Sequence, residues 1–160
     1  MPKEVKVPEQ RKAFTGLQAI LLAHVINRII PAEDGMPGAG DLGLTSEIDL
    51  AVGDLAPLKR LFLAGLAQIE IEAHRSNGKG FNELSPEKQD RLLKAVEGEY
   101  PEFFQVLVQQ TYNSYYTNPT ILPLIGYEVR PPQPQGYPMK PFDDSLLDNV
   151  RKRAPMYRQV

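Results

Sequence analysis

Few side chains in this chain are equipped for chemistry. There are two histidines and no cysteine among 160 residues. Without a thiol, the chain itself makes no disulfide, Fe–S cluster, thiolate zinc site or cysteine nucleophile. His24 stands in an apolar run and reads as a core or boundary residue. His74 follows Glu70 by four residues, so on a helix the two face the same way. One such pair is at most half of a metal site. A di-iron bundle needs two Glu-x-x-His motifs and two further glutamates, and the spacing here is Glu-x-x-x-His. Glu70 and His74 are the metal candidate, against the plainer reading of a surface contact. Ser46, Ser76, Ser85, Ser114 and Ser145 fall in caps, turns or polar faces, and no Ser-His-Asp order accompanies them.

A second constellation is glycine. Gly38, Gly40 and Gly43 spell GxGxxG within residues 31–44, PAEDGMPGAGDLGL. In a dinucleotide fold that motif follows a buried strand and opens a helix whose N-terminus receives pyrophosphate. Here the preceding element reads as a helix, and Glu33, Asp34 and Asp41 would repel phosphate. The glycines therefore read as a turn. The acids do not have the spacing of a calcium-binding EF-hand loop. No catalytic centre is predicted, so the chain is not expected to be an enzyme on its own.

The elements that would position these groups are helical. From Glu9 to Ile30, Phe14, Leu17, Leu21, Val25 and Ile29 recur at three- and four-residue steps, and Gln18 is the main polar break. Pro31 ends that helix. Thr45-Ser46-Glu47 reads as a hydroxyl cap with acids at the positive end of a short helix running to about Val52. Pro57 opens the strongest helix. Leu58, Leu61, Phe62, Gly65, Leu66, Ile69 and Ala73 share a face that Leu63, Ala67 and Ile71 broaden. Gly65 inside it predicts a close helix crossing, because an interior glycine otherwise costs about 1 kcal/mol.

Phe81 and Leu84 anchor the next link, and Ser85-Pro86-Glu87 starts a helix with Leu92, Leu93 and Val96 inside. Pro101 opens a helix to about Thr117, with Phe104, Leu107, Val108, Thr111 and Tyr115 on one face and Tyr112 and Tyr116 at its boundary. After Pro119 no helical period survives. Pro131-Pro132-Gln133-Pro134 predicts a stiff extended arm. Asp143-Asp144-Ser145 caps a last short helix with Leu146, Leu147 and Val150, ended by Arg151, Lys152 and Arg153.

The expected fold is all-α: an irregular bundle of about five helices, a long Pro-rich extended arm and a short C-terminal helix. The parts are a helical domain at 1–118, an arm at 119–142 and a helix with tail at 143–160, one structural domain overall. The 15 prolines are about twice the average share, and they cluster in the arm. A net charge of −2 leaves no global field to draw nucleic acid or an anionic membrane. The longest apolar run, Leu17–Ile26, is interrupted by Gln18 and His24 and falls short of the roughly 20 residues of a transmembrane helix.

Several segments then fall into a familiar order. They are Arg28-Ile29-Ile30-Pro31-Ala32-Glu33-Asp34 with Pro37-Gly38-Ala39; Phe81-x-x-Leu84-Ser85-Pro86 with Gln89 and Leu92-Leu93; Phe103-Phe104 with Thr111; Tyr115-Tyr116-x-x-Pro119; and Gly126-Tyr127 with Gln135-Gly136-Tyr137-Pro138. Together they resemble the gluconate 2-dehydrogenase subunit 3 family, small helical subunits that accompany flavin-dependent dehydrogenases of the glucose–methanol–choline type. The resemblance implies a non-catalytic accessory subunit that binds no cofactor. It implies a large partner subunit that carries FAD and oxidises a sugar, sugar acid or alcohol, often joined by a haem cytochrome subunit. It also implies a chaperone-like role in the large subunit's maturation and export, commonly through a twin-arginine signal. Arg11-Lys12-Ala13-Phe14 departs from that signal, with Lys12 in place of the second arginine. As read, the chain is expected to be cytoplasmic, or periplasmic or membrane-peripheral if processed or co-exported as in the family.

The candidate partner contacts are Tyr115 and Tyr116 at the end of the long helix, and Tyr127, Arg130 and Tyr137 in the arm. Tyrosine buries much area at low entropic cost, which suits interface hot spots. Packing of the arm tyrosines on the chain's own helices is the equal alternative. Two other readings stand beside the accessory subunit: a stand-alone helical homo-oligomer, and a small metal-binding protein using Glu70 and His74.

Overall fold

The structure, a computed structural model, describes residues 12–127, 136 and 141–153. The described residues hold helices α1 (Gly16–Ile29), α2 (Thr45–Gly53), α3 (Ala56–Asn77), α4 (Pro86–Glu99), α5 (Pro101–Thr117), α6 (Ile121–Leu124) and α7 (Asp148–Arg151). Short 3-10 turns lie at Phe81–Glu83 and Asp144–Leu147, and there is no strand among the described residues. The fold is all-α, as the periodicities predict. The contacts divide the chain into two units, Met1–Val129 and Arg130–Val160.

In the first unit, α1 begins at Gly16 rather than Glu9, because Thr15 forms a capping box. Thr15 Oγ1 accepts from the Gln18 N–H at 3.3 Å, and Gln18 Oε1 accepts from the Thr15 N–H at 2.9 Å. Gln18, the break in the apolar pattern, is thus the start signal of the helix. Leu17, expected inside, is 81% exposed, and the buried residues are Leu21, Leu22, Val25 and Ile26. His24 is exposed too, which corrects its reading as a core or boundary residue. Ahead of the cap, Ala13 and Phe14 are buried, and both of their N–H groups donate to Asp49 Oδ1 on α2, the second at 2.9 Å. Thr45 is the first residue of α2 and not its cap; Leu44 precedes it without a side-chain bond.

The long central helix α3 buries Phe62, Gly65, Leu66, Ile69 and Ala73, while Ala67 and Ile71 face outward, so its apolar face is narrower than expected. It ends at Gly78, whose φ of 67° is the left-handed geometry of a helix C-terminus. Gly65 lies under Phe103 of α5, and a Cβ there would collide with the ring. Phe62 meets Phe103 edge-on at 5.7 Å and Phe14 at 5.9 Å, linking α3, α5 and the lead-in to α1. The buried stripe of α5 is Phe103, Leu107, Thr111 and Tyr115, so Phe103 takes the place expected of Phe104. Thr111 avoids a polar debt in the core by donating to the Leu107 carbonyl at 2.8 Å.

Helix α4 is fastened at two points. Arg28 on α1 grips Asp90 through two bonds of 2.7 Å. Buried Gln89 donates to the Phe81 carbonyl at 3.0 Å. Beyond Pro119 the chain turns helical again, with Ile121 of α6 fully buried. The extended arm expected from residue 119 therefore does not begin before α6 has closed.

In the second unit, Asp143 accepts from the Ser145 N–H at 3.1 Å, which is the cap expected there. Phe142, Leu146, Leu147 and Val150 are all exposed.

Candidate partner-binding surface

The candidate contact residues divide. Tyr115 is 1% exposed, and its hydroxyl donates to the Pro37 carbonyl at 2.8 Å. Burial, with Tyr116 beside it, pushes the Tyr115 phenol above its ordinary pKa. This side chain is a core element and offers no surface to a partner, which corrects its place among the contacts. Tyr116, the next residue on the helix, is 47% exposed, and Tyr112 one turn earlier is 43% exposed. Their rings lie 6.0 Å apart, and Tyr115 meets Tyr116 edge-on at 5.2 Å.

Beyond α5 the same end of the unit continues with exposed apolar groups. Leu124 and Ile125 are exposed at the close of α6, and Tyr127 follows at 61%. Gly126 takes a φ of 76° so that the Tyr127 N–H can donate back to the Leu122 carbonyl at 2.9 Å. Tyr127 is therefore held by its backbone while its ring stands in solvent. Arg130 and Tyr137 lie outside the described residues. Tyr112, Leu124 and Ile125 join the exposed surface beyond the residues that the sequence marks as contacts. The signal for Tyr112 was its four-residue spacing from Tyr116.

The glycine loop behind Tyr115 is built as a turn. Asn27 Oδ1 accepts from the Gly40 N–H at 2.9 Å, while its amide donates to Asp41 at 3.2 Å. A Cβ on Gly40 would strike the Ala23 carbonyl, and one on Gly38 would strike Asn27. The first two glycines of the motif thus allow close approach to α1, not to a phosphate. Ala39 is fully buried and its N–H donates to the Ile30 carbonyl at 3.0 Å. Asn27 and Tyr115 together tie the loop to α1 and α5.

Glu70 and His74 come within 3.7 Å, and Glu70 also accepts from the Phe81 N–H at 3.4 Å. Among the described residues no group of three or more His, Asp or Glu could hold a metal ion. The pair spans one turn of α3 and helps to seat the 3-10 turn at Phe81. No described helix is long and apolar enough to cross a membrane.

A family model described as gluconate 2-dehydrogenase subunit 3 matches residues 17–129. No curated protein and no solved structure matches the chain.

Proposed function

The chain belongs to the gluconate 2-dehydrogenase subunit 3 family, and from that membership we propose that it is a non-catalytic accessory subunit. It binds and stabilises the large FAD-carrying subunit of a sugar, sugar-acid or alcohol dehydrogenase, and serves that subunit's maturation or export. A haem cytochrome subunit is a further member of such a complex. The redox chemistry belongs to the flavin of the large subunit, and this chain contributes binding.

The observation that carries this reading is the pairing of a match over the helical unit with the aromatic end of that unit. Tyr112, Tyr116 and Tyr127 stand exposed on backbone that is itself fixed by α5 and α6. Rigid aromatic side chains in such positions lose little entropy on docking. A partner that binds only the folded large subunit stabilises it by mass action, about 2.7 kcal/mol at a hundred-fold excess over Kd.

The test is a pull-down of this chain from its native host, with absorbance of the eluate read in the flavin bands. The expected result is a large yellow partner in stoichiometric amount, much reduced for a Tyr116→Asp, Tyr127→Asp double variant. A colourless chain eluting alone refutes the reading.

A further inference from the structure

The chain has one Asn-Gly step, Asn77-Gly78, and the fold places it where α3 ends. Such a dipeptide carries its own nucleophile. The backbone nitrogen of the second residue can attack the side-chain amide of the first, and glycine has no Cβ to shield that nitrogen.

Two observations set how this site behaves. First, the Gly78 N–H donates to the His74 carbonyl at 2.9 Å and closes the last turn of the helix. A nitrogen held in that bond keeps its proton, and an amide nitrogen that keeps its proton is not a nucleophile. Second, little holds this turn shut. The last buried residue of α3 is Ala73, and His74, Arg75 and Ser76 are exposed. The side-chain ties of the turn are surface contacts. Glu72 accepts from Ser76 Oγ at 2.6 Å and pairs with Arg75 at 3.0 Å, and Glu70 lies 3.7 Å from His74. Exposed ties of this kind stabilise weakly, so the turn opens at far lower cost than the whole fold.

We propose that Asn77 is a site of spontaneous deamidation, gated by opening of the last turn of α3. When the turn opens, hydroxide takes the Gly78 amide proton. The nitrogen bonds to Asn77 Cγ, the Cγ–Nδ2 bond breaks, and ammonia leaves with a proton from water, closing a succinimide ring. Water then adds to one of the two ring carbonyls and opens the ring to aspartate or to isoaspartate. Nothing is oxidised or reduced, and water is the only co-reactant. Either product puts a carboxylate at residue 77, which lines a cleft of about 340 Å³ between α3 and α4 with Glu72, Lys88 and Arg91. Two cations then share the cleft with two carboxylates instead of one. The inference concerns this chain alone and stands or falls without the dehydrogenase.

The experiment follows the purified full chain in mildly alkaline buffer, folded and in urea, by peptide mass spectrometry that localises the amide-to-acid mass gain. In urea Asn77 is expected to convert first among the asparagines, to isoaspartate as well as aspartate. The folded chain is expected to convert about ten-fold more slowly, or slower still, in step with the exchange protection of the Gly78 amide. Glu72→Ala removes the partner of Ser76 and Arg75, so it speeds the folded reaction about two-fold or more and leaves the rate in urea unchanged. Gly78→Ala, compared in urea where the fold plays no part, slows the reaction about ten-fold because its methyl shields the nitrogen. An Asn77 that stays intact in urea, one that converts as fast folded as unfolded, a Glu72→Ala chain whose folded rate matches wild type, or a Gly78→Ala chain that converts as fast as wild type in urea overturns the proposal.

Discussion

Replacing Gly65 by alanine sets two well-characterised effects against each other. In the interior of a helix, Gly→Ala is worth about 1 kcal/mol of added stability through propensity alone. At this position the new Cβ would fall on the ring of Phe103, which is 2% exposed and pinned edge-on against the fully buried Phe62. Overpacking of a filled core costs about 1–3 kcal/mol, and the edge-on contact of the ring with Phe62 puts this site in the upper half of that range. The net expectation is a loss of about 1–2 kcal/mol. With a urea m-value of about 2 kcal/mol per molar, the unfolding midpoint falls by about 0.5–1 M. The assay is urea unfolding followed by circular dichroism at 222 nm, for wild type, Gly65→Ala, Phe103→Leu and the double variant. Leucine opens room beside the new methyl, so the double variant is expected to be more stable than the two single losses added together. A Gly65→Ala protein as stable as wild type, or more so, would refute the close crossing of α3 and α5.

Tyr115→Phe removes the hydroxyl that donates to the Pro37 carbonyl and should cost about 0.5–1.5 kcal/mol in the same urea assay; no loss would mean the loop is not tied to α5 there. Asp49→Ala deprives the N–H groups of Ala13 and Phe14 of their acceptor, and about 1–3 kcal/mol should be lost, with faster amide exchange at those two positions as the local readout. The Arg28–Asp90 fork gives a pH signature. Hydrogen bonding to Arg28 holds the Asp90 carboxyl below its ordinary pKa. Its contribution is therefore full above the unfolded-chain value of about 3.9 and is lost as the pH falls through the lowered folded value. Asp90 is half exposed, so the gap between wild type and Asp90→Asn should be only about 0.2–1 kcal/mol at neutral pH, shrinking with salt and closing in acid. A gap that widened in acid would reverse the assignment.

The helices were legible where local chemistry decides them. Pro57, Pro86 and Pro101 each stand at the first or second position of a helix, and Gly78 ends one. Gly65 could be read as a crossing because nothing else repays an interior glycine. The buried face of α1 was only partly legible from apolar spacing: Leu17, Leu21 and Val25 follow at four-residue steps, yet Leu17 is exposed and Leu22 and Ile26 are buried. The capping box at Thr15 and Gln18 places Leu17 in the first turn of the helix. Beyond the reach of periodicity were the polar ties between elements. Asp49 meets Phe14 across 35 residues, and Arg28 meets Asp90 across 62. A period reports which face of a helix is inside, not which side chain of another helix arrives there.

The same limit explains the candidate surface. Successive residues of a helix point about 100° apart, so Tyr115 and Tyr116 cannot share a face. Tyr115 continues Phe103, Leu107 and Thr111 at four-residue steps and goes inside with them. Tyr116 continues Tyr112 and stays out. Tyr115 and Tyr116 are therefore not equivalent as candidate contacts, and the apolar stripe of the long helix already contains Tyr115. Whether an aromatic residue of an interaction protein serves core or contact is thus settled by its register with the buried stripe, not by its type. For the residues after α6 there is no stripe to count from. Tyr127 could be placed only once α6 was seen to bury Ile121 and turn the chain at Gly126. Tyr127 is held outside by a bond on its own backbone, which keeps its ring exposed, while Tyr115 is spent in the core.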